Sequence, residues 1–204
     1  MGAISVPFIP KDDIFAEAER LVERYHPSMA APIPIEVIVD RDFGMDIRPL
    51  EGLKRTIGSP AYTAWASRSI FVDDRMFKVE RGWYHFSLAH ELGHIVLHPQ
   101  LFQASGHRTR VEYEDFLSRL SEADRVRMEK QAQLFGGAFI APTKTITAVA
   151  DHCVELARKE GVVLTLHFEL DWPYILAGMA KRLQVNEQTV DFRFRELCLI
   201  DRYV

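Results

Sequence analysis

The hydrophobic positions predict two helices in the middle of the chain. In the first, apolar residues recur at helical spacing between positions 83 and 97, and Pro99 ends the run. In the second, one apolar stripe is followed by Pro142, and Ser121 is a suitable N-cap. The first set comprises Trp83, Phe86, Leu88, Ala89, Leu92, Ile95, Val96 and Leu97, and the second comprises Met128, Ala132, Phe135 and Phe139.

Four shorter stretches ahead of the first helix favour β-strands. They are Ile35 to Val39, Asp46 to Arg48, Ala61 to Trp65 and Ser69 to Val72. Together with the helices they predict an α+β fold in which a small sheet packs on helices. A strand that runs beside the first helix would offer its edge to an extended polypeptide.

Beyond about residue 145 the pattern predicts a helix, a short turn and a second helix. The turn lies between Ala180 and Val190, Asn186 is a suitable N-cap, and the last helix continues to Leu197. This order resembles a helix-turn-helix unit. The cations that could face phosphates are Lys181, Arg182, Arg193 and Arg195, and they are interleaved with Glu187, Asp191, Glu196 and Asp201. Two interpretations stay open: recognition of DNA or a DNA-bound partner, and a unit that completes the core or docks a protein. The second is favoured, because a charged face is commonly only solvated.

His90, Glu91 and His94 provide the candidate chemistry. Two histidines four residues apart lie on one face of a helix, where both imidazoles can bind one metal ion. Glu91 is rotated toward the open side of that ion, where its carboxylate can accept a proton from water that zinc has activated. Gly93 and the pair Gly136-Gly137 interrupt the two helices, which indicates close packing by another backbone.

The spacing leaves the third metal ligand open. A metzincin would carry glycine and histidine where this chain has Leu97 and Gln100, so that class is excluded. His98, at the helix end before Pro99, is favoured as a cap or as a group that supports a ligand. Glu129 on the second helix would complete a site of two histidines and one glutamate with one position left for water. The alternative for Glu129 is a solvated surface charge.

The polar stretch from Gln103 to Arg110 predicts a loop that could cover a cleft. His107 within it and Tyr113 beyond it could donate a hydrogen bond to the tetrahedral intermediate of peptide hydrolysis. An ordinary surface loop without a catalytic part is the favoured interpretation.

The residues from Phe86 to His98 resemble the motif of the ImmA/IrrE family of zinc metallopeptidases, also called the M78 peptidases. The resemblance extends to a short helix from Ile14 to Tyr25, a proline-punctuated segment from Ala31 to Val39 and a strand from Ser69 to Asp73. The family's second motif is matched by Glu129, Ala132, Phe135, Gly136, Gly137, Phe139, Ile140 and Pro142. Gln133 stands where asparagine is usual, and the two glycines replace a pair of alanines.

This resemblance implies a zincin-like metallopeptidase domain over residues 7–142 and a helical region with a helix-turn-helix-like segment over residues 143–204. It assigns the zinc ligands to His90, His94 and Glu129 and the catalytic base to Glu91. It also implies an endopeptidase that cleaves a specific regulatory protein, such as a phage-type repressor or an antitoxin. The alternative is a non-proteolytic, metal-containing regulator that binds a transcription factor or DNA. Glu91 argues against this alternative, because a structural metal site needs no base.

Composition and charge narrow the class of protein. The chain of 204 residues is 48% hydrophobic and 26% charged, as ordinary globular proteins are. A net charge of -4 provides no overall attraction to nucleic acid or to an anionic membrane. No apolar run reaches the roughly 18 residues of a membrane span, and Met1 to Pro7 lack the features of a secretory signal. We therefore expect a cytoplasmic protein without membrane contact.

Overall fold

The computed structural model of the chain describes residues 5–162 and 164–203. The helices are α1 (Lys11–Tyr25), α2 (Ile35–Val37), α3 (Leu53–Ile57), α4 (Asp74–Val79), α5 (Arg81–Leu97), α6 (Pro99–Ser105), α7 (Arg110–Ser118), α8 (Glu122–Ile140), α9 (Thr143–Lys159), α10 (Leu164–Leu183) and α11 (Glu187–Glu196). The strands are β1 (Asp46–Leu50), β2 (Ala61–Ala64) and β3 (Ser69–Asp73). A π-helix covers Ile38–Asp42, and short 3-10 helices cover Trp65–Ser67 and Ile200–Arg202. Within the described ranges no helix is both long and apolar enough to cross a membrane.

The three strands form one sheet in the order β1-β3-β2. β1 runs parallel to β3, with Ile47 opposite Ile70, and β2 runs antiparallel to β3, with Tyr62 opposite Phe71. Three of the predicted strands are thus confirmed, and the small sheet among many helices agrees with the α+β prediction. β2 is an edge strand, and it packs on α5.

The prediction of a strand from Ile35 to Val39 is wrong. These residues form α2 and the start of the π-helix. Ile35, Ile38 and Val39 are fully buried, and their spacing of three and four residues belongs to one face of a helix. β-branched side chains favour strands when they cover a pleated surface. Here the core lies on one side of a helical turn. The burial of these side chains therefore outweighs the preference of β-branched residues for strands.

The core of the protein surrounds the pair of helices α5 and α8. α8 packs on α5 and α1, and α5 also packs on β2 and β3. Buried side chains continue from this pair into α9, α10 and α11; examples are Leu92, Phe139, Ile146, Met179 and Val190. The predicted boundary between residues 142 and 143 coincides with the end of α8 and the start of α9. The division into two domains stays a prediction.

The order of helix, turn and helix near the carboxyl end is confirmed. Gln184 to Asn186 join α10 to α11, and the Asn186 side chain caps α11 by accepting a hydrogen bond from the Thr189 backbone N–H at 2.9 Å. Trp172 of α10 and Phe194 of α11 are buried with their ring centres 4.9 Å apart. The likeness to a DNA-binding helix-turn-helix stays a prediction.

Arg193 does not face phosphates, contrary to the interpretation of its charge. It is 1% exposed, and its guanidinium pairs with Glu19 of α1 at 2.8 Å. The guanidinium also donates to the Ala141 carbonyl at 3.2 Å and lies 4.2 Å from the centre of the Phe15 ring. The counter-charge lies 174 residues away in the sequence, so no local pattern reveals it. Arg193 therefore ties α11 to α1 and to the end of α8.

The other cations of the predicted phosphate-facing set are on the surface. Lys181 and Arg182 are exposed, and Arg182 lies 2.8 Å from the ring nitrogen of His152. Arg195 pairs with Asp191 at 2.8 Å. These contacts and the burial of Arg193 reduce the positive charge that this region presents to a nucleic acid.

We expect Arg193→Ala to lower the free energy of unfolding by about 3 kcal/mol, because breaking a buried ion pair leaves Glu19 without its counter-charge. Arg195→Ala on the same helix should change it by less than about 0.5 kcal/mol, because that pair is exposed. Urea titration followed by circular dichroism measures both. Equal midpoints for the two variants would contradict a role for Arg193 in holding the helices together.

Candidate metal centre

α5 brings the two histidines of the motif together on one face. The Nε2 atoms of His90 and His94 lie 3.1 Å apart. Glu91 joins them in a cluster in which one ligand-type atom from each residue lies within 4.8 Å of the others. Two imidazole nitrogens at this distance either share a proton or direct both lone pairs at a common cation.

α8 places the Glu129 carboxylate beside the Nε2 atoms of His90 and His94. Its Oε2 lies 3.2 Å from His90 Nε2, and its Oε1 lies 3.7 Å from His94 Nε2. Ligand bonds of about 2.0 to 2.1 Å in a tetrahedron separate the ligand atoms by about 3.4 Å. The three donor atoms therefore fit the protein side of a tetrahedral zinc site.

Charge also couples Glu129 to the histidines. Burial by itself would raise the pKa of Glu129, but hydrogen bonds and charge from His90 and His94 outweigh it and lower that pKa. Burial likewise opposes the charged form of His90, but Glu129 and Glu91 outweigh it and raise the pKa of His90. The carboxylate is thus ionised at neutral pH, as metal binding requires.

The close approach of α5 and α8 depends on missing side chains. A Cβ atom at Gly93 would lie 3.0 Å from the Ala132 carbonyl oxygen, and one at Gly136 would lie 3.0 Å from the His90 backbone nitrogen. Each glycine therefore packs against the backbone of the opposite helix rather than against another glycine. A Cβ at Gly137 would meet nothing within 4 Å. The predicted packing surface is correct for two of the three glycines.

His98 supports His94 through a chain of hydrogen bonds. The Gln131 amide donates to the Pro7 carbonyl at 3.0 Å, so its oxygen accepts from His98 Nε2 at 2.8 Å. Burial and the charge of His94 lower the pKa of His98 to about 4, which leaves its Nδ1 as an acceptor at pH 7. His94 Nδ1 lies 3.4 Å from that atom and takes the donor role. This assignment leaves the lone pair of His94 Nε2 directed at Glu129 and His90.

Glu91 is buried beside the two histidines. It is 3% exposed, and its Oε2 accepts a hydrogen bond from the Thr63 hydroxyl of β2 at 2.8 Å. This contact fixes the carboxylate at the side of the metal ligands. Its other oxygen, Oε1, forms no hydrogen bond within the described part of the chain.

The candidate site opens into a cleft of about 500 Å³, a size typical of ligand pockets. Its floor includes His90, Glu91 and Glu129. The walls are formed by the segment before β2, the start of α5 and the inner side of α7, and they include Pro60, Ala61, Trp83, Phe86, Tyr113 and Leu117. A mostly apolar wall around ionisable groups is suited to a polypeptide whose side chains are partly apolar.

The predicted loop from Gln103 to Arg110 is correct for its middle part. α6 ends at Ser105 and α7 begins at Arg110, so residues 106–109 link the two helices, and His107 in this link is 1% exposed. Its Nε2 lies 2.6 Å from the Thr63 carbonyl oxygen, and its Nδ1 lies 2.9 Å from the Ser105 hydroxyl. Both nitrogens are engaged, so His107 is a structural group rather than an oxyanion donor.

Tyr113 occupies a different position from His107. It lines the cleft, and its ring stacks on Tyr62 with the centres 5.4 Å apart. Burial and the charges of Glu91 and Glu129 raise the pKa of Tyr113 well above its ordinary value. Its hydroxyl therefore stays protonated at neutral pH and can donate a hydrogen bond.

The edge of β2 is only partly available to a substrate strand. The Pro60 carbonyl accepts a hydrogen bond from the Asp73 N–H of β3. Because alternate residues of an antiparallel strand face its partner, the backbone groups of Ala61 and Thr63 point to the open edge. The Thr63 carbonyl is taken by His107, and the Ala61 carbonyl accepts from the Ser59 hydroxyl at 2.7 Å. Residues 58–61 line the cleft, and the outward backbone group of β2 that stays available there is the Ala61 N–H.

The sequence did not single out Thr63 or Gln131. Thr63 lies in a predicted strand 28 residues before Glu91, and nothing in the strand pattern distinguishes it from a core position. Gln131 is 4% exposed within a largely buried helix. A polar residue two positions after Glu129 was the signal for Gln131, but its partner was visible only in the fold.

The family model Peptidase_M78, described as an IrrE N-terminal-like domain, matches residues 41–195. The matched region contains all of α5 and α8, and it continues through α9 and α10 into α11. No curated protein and no solved structure gives a significant match to the chain. The family resemblance drawn from the motifs is confirmed.

We expect Gly136→Ala to separate α5 from α8, at a cost of about 1 to 3 kcal/mol in the free energy of unfolding. The displacement should weaken metal binding by about tenfold, because the His90 backbone has to move. Gly137→Ala is the matched control; it has space for the methyl group and should gain up to about 1 kcal/mol from helix propensity. Urea titration and a competition assay with a chelating dye measure the two quantities. Equal metal affinity in the two variants would contradict the packing argument.

Proposed function

The chain belongs to the M78 peptidase family of metallopeptidases, and we propose that it is a zinc-dependent endopeptidase. In this role His90, His94 and Glu129 hold the metal. Glu91 is the catalytic base. The observation that supports the proposal most directly is the convergence of His90 Nε2, His94 Nε2 and the Glu129 carboxylate within 3.1 to 3.7 Å beside a buried glutamate.

The residues of the site divide the work of peptide hydrolysis. Zinc, when bound, lowers the pKa of water in its open coordination position to about 7 and polarises the peptide carbonyl. Glu91 accepts the proton of the attacking water on Oε1 and passes it to the leaving amine. Thr63 holds the other carboxylate oxygen, so the base enters each cycle in one orientation.

Tyr113 provides the hydrogen-bond donor for the developing oxyanion. It lines the same cleft as Glu91 and Glu129, and its raised pKa keeps the proton on the hydroxyl. A donor directed at the charge that forms in the transition state stabilises the transition state more than the ground state, and so it lowers the activation barrier. His107 is unsuited to this role, because the Thr63 carbonyl and the Ser105 hydroxyl engage both of its ring nitrogens.

The natural substrate in this proposal is a specific regulatory protein, such as a phage-type repressor or an antitoxin. Support for that class comes from the resemblance to ImmA/IrrE peptidases. The cleft supports a polypeptide in general, because it combines apolar walls with an outward backbone N–H at Ala61.

We expect near-stoichiometric zinc in the wild-type protein purified without a chelator, and its loss in Glu129→Ala. Glu114→Ala is the matched control, because Glu114 is a carboxylate that lines the same cleft from α7 and should not affect metal content. Elemental analysis measures zinc and also reports manganese or iron, which such a ligand set can hold. A well-folded wild-type protein without metal would contradict the proposal and favour a non-proteolytic regulator.

We expect Glu91→Gln to retain its metal and to lower kcat/KM by about 10² to 10⁴, because it removes the proton acceptor. Tyr113→Phe should lower kcat by about 10² to 10³ with little change in KM, because it removes a transition-state donor. Cleavage of a degenerate peptide library, followed by mass spectrometry, measures both variants against Glu114→Gln. Undiminished cleavage by Glu91→Gln would rule out this residue as the base.

A further inference from the structure

A second groove adjoins the candidate metal centre on the other side of α8. It has a volume of about 680 Å³ and is formed by the segment before α1, by the start of α1, by α8 and by α11. Glu129 and Gln133 line both this groove and the cleft of the metal centre. The two depressions are therefore adjacent along one turn of α8.

Large apolar side chains are exposed along this groove. Phe8 is 77% exposed, Val126 58% and Phe192 39%. Ile9, Ile14 and Leu134 complete the apolar lining. Three exposed apolar side chains around one depression indicate an interaction surface rather than isolated surface residues.

The groove is already formed in the free protein. Asp124 accepts from the Val6 backbone N–H at 3.0 Å, and Arg127 donates to the Val6 carbonyl at 2.8 Å. Gln131 donates to the Pro7 carbonyl. These bonds fix the residues just before Phe8 on α8, so Phe8 is exposed from a segment that is itself anchored. Preformed grooves bind at a lower entropic cost than segments that must fold first.

The rim of the groove carries unbalanced positive charge. Lys11 and Glu196 neutralise each other at one end, with their atoms 2.7 Å apart. Arg125 and Lys130 are exposed, and neither forms an ion pair with a residue whose side chain the structure describes. Arg125 lies one helical turn before Glu129 on the same face of α8. A bound chain that carries a carboxylate would meet these two cations close to the metal centre.

We propose that this groove binds a second part of the peptide substrate, several residues from the scissile bond, with one large apolar side chain and an acidic neighbour. The apolar side chain packs between Phe8 and Phe192, and the carboxylate pairs with Arg125 and Lys130. This inference rests on the proposed peptidase function and adds a specificity determinant to it. The shared lining residues Glu129 and Gln133 place the groove next to the cleft, which selects one polypeptide that spans both sites as the occupant.

The test profiles cleavage of a degenerate peptide library by the zinc-loaded protein. For the wild type we expect enrichment of Asp or Glu beside an aromatic or aliphatic residue, always on the same side of the cleaved bond. The double variant Phe8→Ser with Arg125→Glu should lose this enrichment. For a peptide made to the enriched sequence it should lower kcat/KM by about tenfold, as removal of an interface hot spot does.

The matched control is Tyr174→Ser with Arg158→Glu. Tyr174 is 81% exposed, close to the value for Phe8, and Arg158 is an exposed cation on α9. Both double variants change the net charge equally, so only the groove variant should alter the cleavage profile. Arg125→Glu alone should change the enriched residue of the cleaved peptides from Asp or Glu to Lys or Arg. Loss of folding cannot produce such a new preference.

Each outcome separates the groove from the function on which it rests. Cleavage without residue enrichment away from the cleaved bond overturns the groove proposal and leaves the proposed peptidase function intact. The same holds if the groove variant shows the same enrichment as the wild type. Failure of the metal-loaded wild type to cleave any peptide overturns the peptidase, and the groove proposal with it. Enrichment that the groove variant loses and the control keeps supports both.

Discussion

The distance between α5 and α8 is the constraint on which the rest of the structure depends. His90 and His94 lie on one helix and Glu129 on the other, and their donor atoms converge only because the two backbones touch. Gly136 makes this possible at the level of His90 itself. The same contact forms the centre of the hydrophobic core, so the packing that stabilises the protein also fixes the geometry of the site.

Around that contact, the side chains next to the site fix orientation rather than bind a ligand. Thr63 of β2 determines which oxygen of Glu91 is free, and His98 determines which nitrogen of His94 carries a proton. The sheet contributes through one hydroxyl, and α8 contributes both Glu129 and the amide of Gln131. A small sheet and the helices α5, α7 and α8 are therefore sufficient to place every group that the proposed reaction needs.

Local patterns in the sequence predicted the parts of this structure that depend on neighbours within a few residues. The two motif helices, three strands and the caps Ser121 and Asn186 follow from periodicity and capping chemistry. The strand predicted at Ile35 to Val39 failed because β-branched residues served one face of a helix. The role of Arg193 was misjudged because its partner Glu19 lies at the opposite end of the chain. For Glu129, the sequence spacing left open whether it is a metal ligand or a surface charge. Only the match to the family motif selected the role of metal ligand.

The amide of Gln131 joins the amino-terminal segment to the metal ligands. It holds the Pro7 carbonyl with its nitrogen and His98 with its oxygen, and His98 in turn orients His94. Lifting the segment off α8 removes one of the two bonds that stop this amide from rotating by half a turn. The rotated amide would present N–H groups to His98 and reverse the direction of every bond as far as His94. The position of the amino-terminal segment is thus linked to the lone pair of His94 through the side chains of Gln131 and His98.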